Sequence, residues 1–237
     1  MKTTTFKASE RGTKDIGWLK SKFTLSFSDY ANPSLSSFGT LIALNDDIVK
    51  PGKGFGTHPH QNMEIISIML EGSMNHKDSM GYNTVVHKDY VQIMGAGSGL
   101  FHEEYNIGEN DVNFLQIWIQ PKLLNTTPRY QQRNFSKEER KNTLTKIISN
   151  EEGSAHCWIN QNAILQLGYF ENGFELPYSF NSVNRAIFVF VIKGEIKVAG
   201  TKLTERDAIG IWDTENILLE SNNSAEFLII ETVINQK

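Results

Sequence analysis

The chain has 237 residues, a formal net charge of −4, 39% hydrophobic and 21% charged residues, the proportions of a globular protein large enough to bury a core as one large β domain or two small ones. That charge balance, with no basic stripe, excludes a broad nucleic-acid surface, and the longest strongly apolar run, AIFVFVI at 186–192, is too short to cross a membrane. The N-terminus lacks the apolar core of a signal peptide and the single cysteine, Cys157, forbids an internal disulfide, so a cytoplasmic protein with a structural thiol beside Trp158 is expected.

The predicted elements are short strands punctuated by Gly, Asn and Asp. FTLSF (23–27), FGTLIAL (38–44), EIISIML (64–70), YVQIMGA (90–96) and NFLQIWIQP (113–121) carry the β-branched and aromatic residues of strands. LNDD, EGS, DSMGYN and GEND read as the turns between them. A capping box at Ser136-Lys137-Glu138-Glu139, followed by polar helix formers, predicts a solvated linker helix to about Ser149. Beyond it the β pattern resumes, with VIKGEIKVAG as a hairpin candidate turning near Gly194. The pattern predicts two β halves, of which the second holds one histidine, His156. A histidine-based site belongs to the first.

Two short stretches carry chemistry. In GFGTHPHQNMEI, His58 and His60 stand at i and i+2. Side chains alternate along a strand, so both face one side, about 7 Å apart at Cα. In GSGLFHEEYN, His102 and Glu104 repeat that spacing. Two such pairs on facing strands bring three imidazoles and one carboxylate into one interior, a donor set suited to a divalent transition metal. Four protein groups leave one or two positions open, as a catalytic metal requires. Glu64 competes with Glu104, since it shares the strand parity of His60. It lies about 13 Å along a straight strand, so Glu104 is preferred as ligand and Glu64 is held as a group behind the ligands. His76 and His87 are read as surface or hydrogen-bonded histidines. Met63, Met69, Met74, Met80, Phe55 and Phe101 are read as barrel core before substrate wall.

These residues match the cupin signature, and within cupins HPHQNMEIISIMLEGSMNHKDSMG and QIMGAGSGLFHEEYN resemble the two motifs of the pirin family. FGTLIALNDDIVKPGKGF and LQIWIQP resemble it as well, and INQNAIL and VIKGEIKVAG more loosely. The resemblance implies an all-β bicupin: two facing jelly-roll β-barrels joined by a short linker helix. Residues 1–132 would form the metal-binding barrel, and 133–237 the linker helix and a barrel without metal ligands. It implies His58, His60, His102 and Glu104 as ligands of one divalent transition metal ion, iron in the first place, with nickel, cobalt, manganese, copper or zinc as alternatives. The implied activity is that of a quercetin 2,3-dioxygenase, which opens a flavonol ring with O2 and releases carbon monoxide, with Glu104 as catalytic base. Its partners would be a phenolic small molecule and O2. The alternatives are a metal-loaded, redox-responsive protein that binds a protein partner without turnover, and a cupin with other small-molecule chemistry such as an isomerase.

Overall fold

The computed structural model describes residues 1–31, 36–181 and 183–234. Among these, helical structure is confined to two 3-10 turns, Ala8–Glu10 and Glu138–Arg140, and nearly everything else regular is strand. The first half contains a seven-stranded sheet and a four-stranded sheet. The larger runs in the order Arg129–Asn134, Tyr90–Gly95, Glu64–Glu71, Val112–Ile119, Leu41–Val49, Leu19–Phe23 and Gly12–Asp15. The smaller runs Gly54–His60, Leu100–Asn106, Ser73–Asp78 and Asn83–His87. Gln92 of the larger sheet donates a hydrogen bond to Glu104 of the smaller, so the two sheets face each other across a shared interior. The second half is built on a ten-stranded sheet whose long strand, Arg185–Val198, pairs with four others.

Strand parity explains the continuous apolar runs. In Arg185–Val198, Ala186, Phe188, Phe190 and Ile192 join one core cluster, while Ile187, Val189 and Val191 join another. The first cluster also takes Ile66, Ile68, Val91, Ile93, Leu115, Ile117 and Ile119 from the first half. It is the seam between the halves. Each large sheet is therefore covered on both faces, one by its own interior and one by the other half. That is why EIISIML and AIFVFVI carry little of the alternation of a half-exposed strand. The first and last parts of the chain are tied across this seam. Lys2–Phe6 pairs with Ala208–Trp212 of the second half, and Thr40 meets Thr232 in a buried hydroxyl pair at 2.7 Å.

Three sequence expectations are corrected. No linker helix spans 136–149. Only Glu138–Arg140 turns, and Leu144–Ser149 is a strand paired with Ile164–Phe170. Part of the capping box does form, since the Ser136 N–H donates to the Glu139 carboxylate at 3.0 Å. The first-half strand near FTLSF runs earlier, Leu19–Phe23, where Lys20 and Lys22 face out between buried Leu19, Ser21 and Phe23. Gly194 is not in the hairpin turn. The turn falls at Ala199 and Gly200, both at positive φ, and Gly194 pairs with Ala225 just after the register shift between Val191 and Lys193.

Candidate metal centre

Register brings the two histidine stretches together. Gly54–His60 pairs antiparallel with Leu100–Asn106, so that His102 lies directly opposite His58 and Leu100 opposite His60. A bulge between His102 and Glu104 shifts that register, placing Glu104 opposite Phe55. Just beyond the bulge Gly54 lets the two backbones approach closely: a Cβ there would sit 2.1 Å from the Glu104 carbonyl oxygen. The rings of His58, His60 and His102 gather with centroids 4.4–5.0 Å apart, and each contributes a ring nitrogen to a group lying within 4.8 Å. Glu104 belongs to an adjoining group with His76 and His102.

Electrostatics prepares these groups to donate electron pairs. His58 donates from Nδ1 to the Gly56 carbonyl at 2.7 Å, which leaves Nε2 as the bare nitrogen. Burial, with the nearby His58, pushes His60 down to about 4, and burial does the same for His102. Both rings are neutral at neutral pH. His102 is 2% exposed and neither ring nitrogen has a hydrogen-bond partner, a costly state for buried polar atoms unless something else fills their coordination. Glu104 is fully enclosed, and burial works to raise its pKa. The His76 ring facing it at 3.6 Å, the nearby His102 and the hydrogen bond from Gln92 outweigh this and hold it below the ordinary carboxylate value. Neutral imidazoles beside an ionised carboxylate are the donor set that a divalent transition metal takes, so the residues present fit such an ion.

Glu64 is not part of this group. The turn after His60, with Asn62 at φ 51°, breaks the strand and resets its parity. Glu64 therefore sides with Ile66 and Ile68 toward the seam, near Arg129 and the backbone N–H of Asn160. His76 is buried and hydrogen-bonded to Asp78 at 3.1 Å rather than lying at the surface. The signal was present in the sequence: Asp78 stands two residues after His76, the same spacing as in the two ligand pairs. Cys157 is buried and free, with its thiol pushed up to about 11 by burial, as a structural thiol should be.

Beside His60 lies an open cavity of about 650 Å³ lined by Pro59, Gln61, Ser79, Ser98, Leu100 and Phe101, among others. Phe101 is 54% exposed, whereas Met69 and Met74 are core. Of the candidate apolar wall, Phe101 is the residue that lines this cavity.

Facing sheets that gather His58, His60 and His102 with a nearby carboxylate into one interior match the cupin class. Its particular branch follows from comparison with known proteins. The profile of the pirin family matches residues 5–119, and that of the quercetinase C-terminal cupin domain matches 146–232. A quercetin 2,3-dioxygenase of Escherichia coli K12 is 34% identical over 226 residues, covering 95% of this chain and 96% of that protein. A pirin-like protein of Caulobacter vibrioides is 32% identical over 221 residues, covering 93% and 95%. The crystal structure of the bacterial pirin YhhW from Escherichia coli in complex with nickel(II) superposes with a TM-score of 0.94 at 32% identity, over 99% of this chain and 100% of that one. The chain belongs to the pirin family.

Proposed function

We propose that the protein is a metal-dependent dioxygenase of flavonols or similar phenols, with His58, His60, His102 and Glu104 holding one divalent transition metal ion. The observation that carries this reading is the convergence of three neutral imidazoles within ligand distance of one another beside an ionised, buried carboxylate. The nickel(II) complex of the similar bacterial pirin and the dioxygenase names of relatives at this identity support it. The bound ion supplies Lewis acidity, which favours the anionic form of a hydroxyl lying next to a carbonyl and makes that phenol electron-rich toward O2.

The chain's residues do the rest. Phe101 and Leu100 give a planar substrate an apolar surface beside His60. Glu104, held ionised, is the group that takes the phenol proton. The flavonol ring then opens with insertion of both atoms of O2 and loss of one ring carbon as carbon monoxide.

The test is turnover by protein of known metal content. Protein purified without added metal is analysed for its elements, then loaded in turn with iron, nickel, cobalt, manganese and copper, and mixed with quercetin under air. Loss of the flavonol absorbance with release of carbon monoxide is expected. Glu104→Gln should keep the fold and lower turnover by about 10²–10⁴-fold, the usual contribution of a general base. His60→Ala should lose bound metal. Full metal content and full turnover in Glu104→Gln would refute the base role. Absence of turnover in fully loaded protein would assign the site to metal-dependent partner binding instead.

A further inference from the structure

Behind the proposed ligands lies a second layer of buried polar groups. Ser73–Asp78 pairs with the other edge of Leu100–Asn106, which places His76 opposite Glu104 and Asp78 opposite His102. The His76 ring donates from Nε2 to Asp78 Oδ2 at 3.1 Å and turns Nδ1 toward Glu104 Oε1 at 3.6 Å. Asp78 is fixed in turn, because its Oδ1 accepts the backbone N–H groups of Met80 and Tyr82 at 2.9 and 3.1 Å. Tyr130 stacks on the His76 ring at 4.5 Å and donates its hydroxyl hydrogen to Gln92, whose amide donates to the same Glu104 Oε1.

We propose that Asp78 and His76 are positioning residues that hold the Glu104 carboxylate in the orientation the metal needs, and couple it to the turn at the mouth of the cavity. This rests on the reading of Glu104 as a ligand. A free carboxylate rotates, and binding an ion then costs the entropy of stopping it. Here Oε1 is engaged from the rear by Gln92 and His76, so Oε2 is the oxygen presented to a cation. The ring stands between the two carboxylates, hydrogen-bonded to Asp78 and 3.6 Å from Glu104, and so ties the position of one to the other. The chain of contacts runs outward as well. Asp78 is locked by the backbone of the 79–82 turn, and Ser79 of that turn accepts the Phe101 N–H at 3.1 Å. Ser79 and Phe101 both line the cavity. A substrate resting on this mouth would press on the same turn that anchors the carboxylate.

The test reads metal binding apart from turnover. Wild-type protein, Asp78→Asn, His76→Ala and His76→Asn are stripped of metal, checked for native packing by near-ultraviolet circular dichroism, and titrated with nickel(II) against a competing chelator. The same proteins saturated with cobalt(II) give a visible spectrum that reports ligand geometry. Each is expected to bind one ion. Asp78→Asn and His76→Ala should bind about 10–100-fold more weakly, the range for lost outer partners of a ligand, with a changed cobalt spectrum even at full loading. His76→Asn, whose amide nitrogen reaches the Nδ1 position, should recover part of that affinity. Wild-type affinity and spectrum in folded Asp78→Asn and His76→Ala would overturn the proposal. So would complete loss of binding in His76→Ala, which would make the ring a ligand itself. His58→Ala separates the two levels. If it bound nickel as tightly as wild type, the ligand assignment would fail and this proposal with it, whereas the first two outcomes strike the relay alone.

Discussion

Burial of Glu64 at the seam between the halves carries a cost that depends on pH. Its carboxyl is 2% exposed and Oε2 has no hydrogen-bond partner. Burial pushes its pKa from 4.5 up to about 7, against the opposing pull of the Asn160 N–H and of Arg129. The folded state therefore binds the proton more tightly than the unfolded chain, and stability falls as pH rises from about 4.5 through 7. Glu64→Gln removes the charge and keeps the shape. The melting temperature of the variant relative to wild type should rise between pH 5 and pH 8, by a free energy on the order of 3 kcal/mol at most; a gap independent of pH would refute this. Residues also differ in how legible they were. His58, His60, His102 and Glu104 are legible as candidates because two side chains on one face of a strand fall at i and i+2, and the fold brings them together. The strand parity that makes Glu64 a competitor of Glu104 holds only along an unbroken strand, and Asn62 breaks this one. His76 reads as a surface or hydrogen-bonded histidine because its partner Asp78 opens the polar turn DSMGYN, and only the fold shows that both are buried.

At the level of the strand, Gly194 illustrates how one long element pairs with four others. Arg185–Val198 pairs with Ala225–Val233 and Ala208–Trp212 in its first part, and with Thr201–Thr204 and Asn216–Ser221 in its last. Between them, just past the register shift at Val191–Lys193, Gly194 has φ +82° and a Cβ would stand 2.0 Å from the Ser224 carbonyl oxygen. Gly200 shares that φ but has open space around it. Gly200→Ala should cost only the backbone strain, about 1 kcal/mol, while Gly194→Ala should cost about 2–3 kcal/mol because the neighbouring backbone must also move. Equal shifts in thermal melting would refute the distinction. From sequence alone a glycine in an apolar run reads equally as a turn or as a close approach of two backbones, and the choice depends on the distant partner strand Ala225–Val233. The segment 144–149 was misread for a related reason. Leu144, Thr145 and Lys146 are only half-buried, so their polarity resembles a solvated helix until the pairing with Ile164–Phe170 is known.

The whole molecule should unfold as one cooperative body, because its largest core cluster draws residues from both halves. Ile66, Ile68, Ile117 and Ile119 pack in the same cluster as Phe188, Phe190, Leu228 and Ile230, and separating the halves would expose all of them to water. A polar clasp closes the same seam. Arg206 of the second half donates from Nε to Asp46 Oδ2 at 2.9 Å, from Nη1 to its own half's Ile192 carbonyl at 2.6 Å, and from Nη2 to Asn113 Oδ1 at 3.3 Å. Arg11 approaches the same Asp46 oxygen at 3.6 Å. Removing Arg206 leaves a buried carboxylate with part of its compensation, since Arg11 and Asn113 remain. Arg206→Ala should therefore cost about 2–3 kcal/mol, at or below the lower end for a broken buried pair. At roughly 2–4 °C per kcal/mol for a chain of this size, the melting temperature should fall by roughly 5–10 °C. Both wild type and variant should still unfold in one calorimetric transition whose measured enthalpy equals the van't Hoff value. Two resolved transitions in the wild type would mean that each half holds itself together, and that the shared apolar seam is an interface between independent bodies.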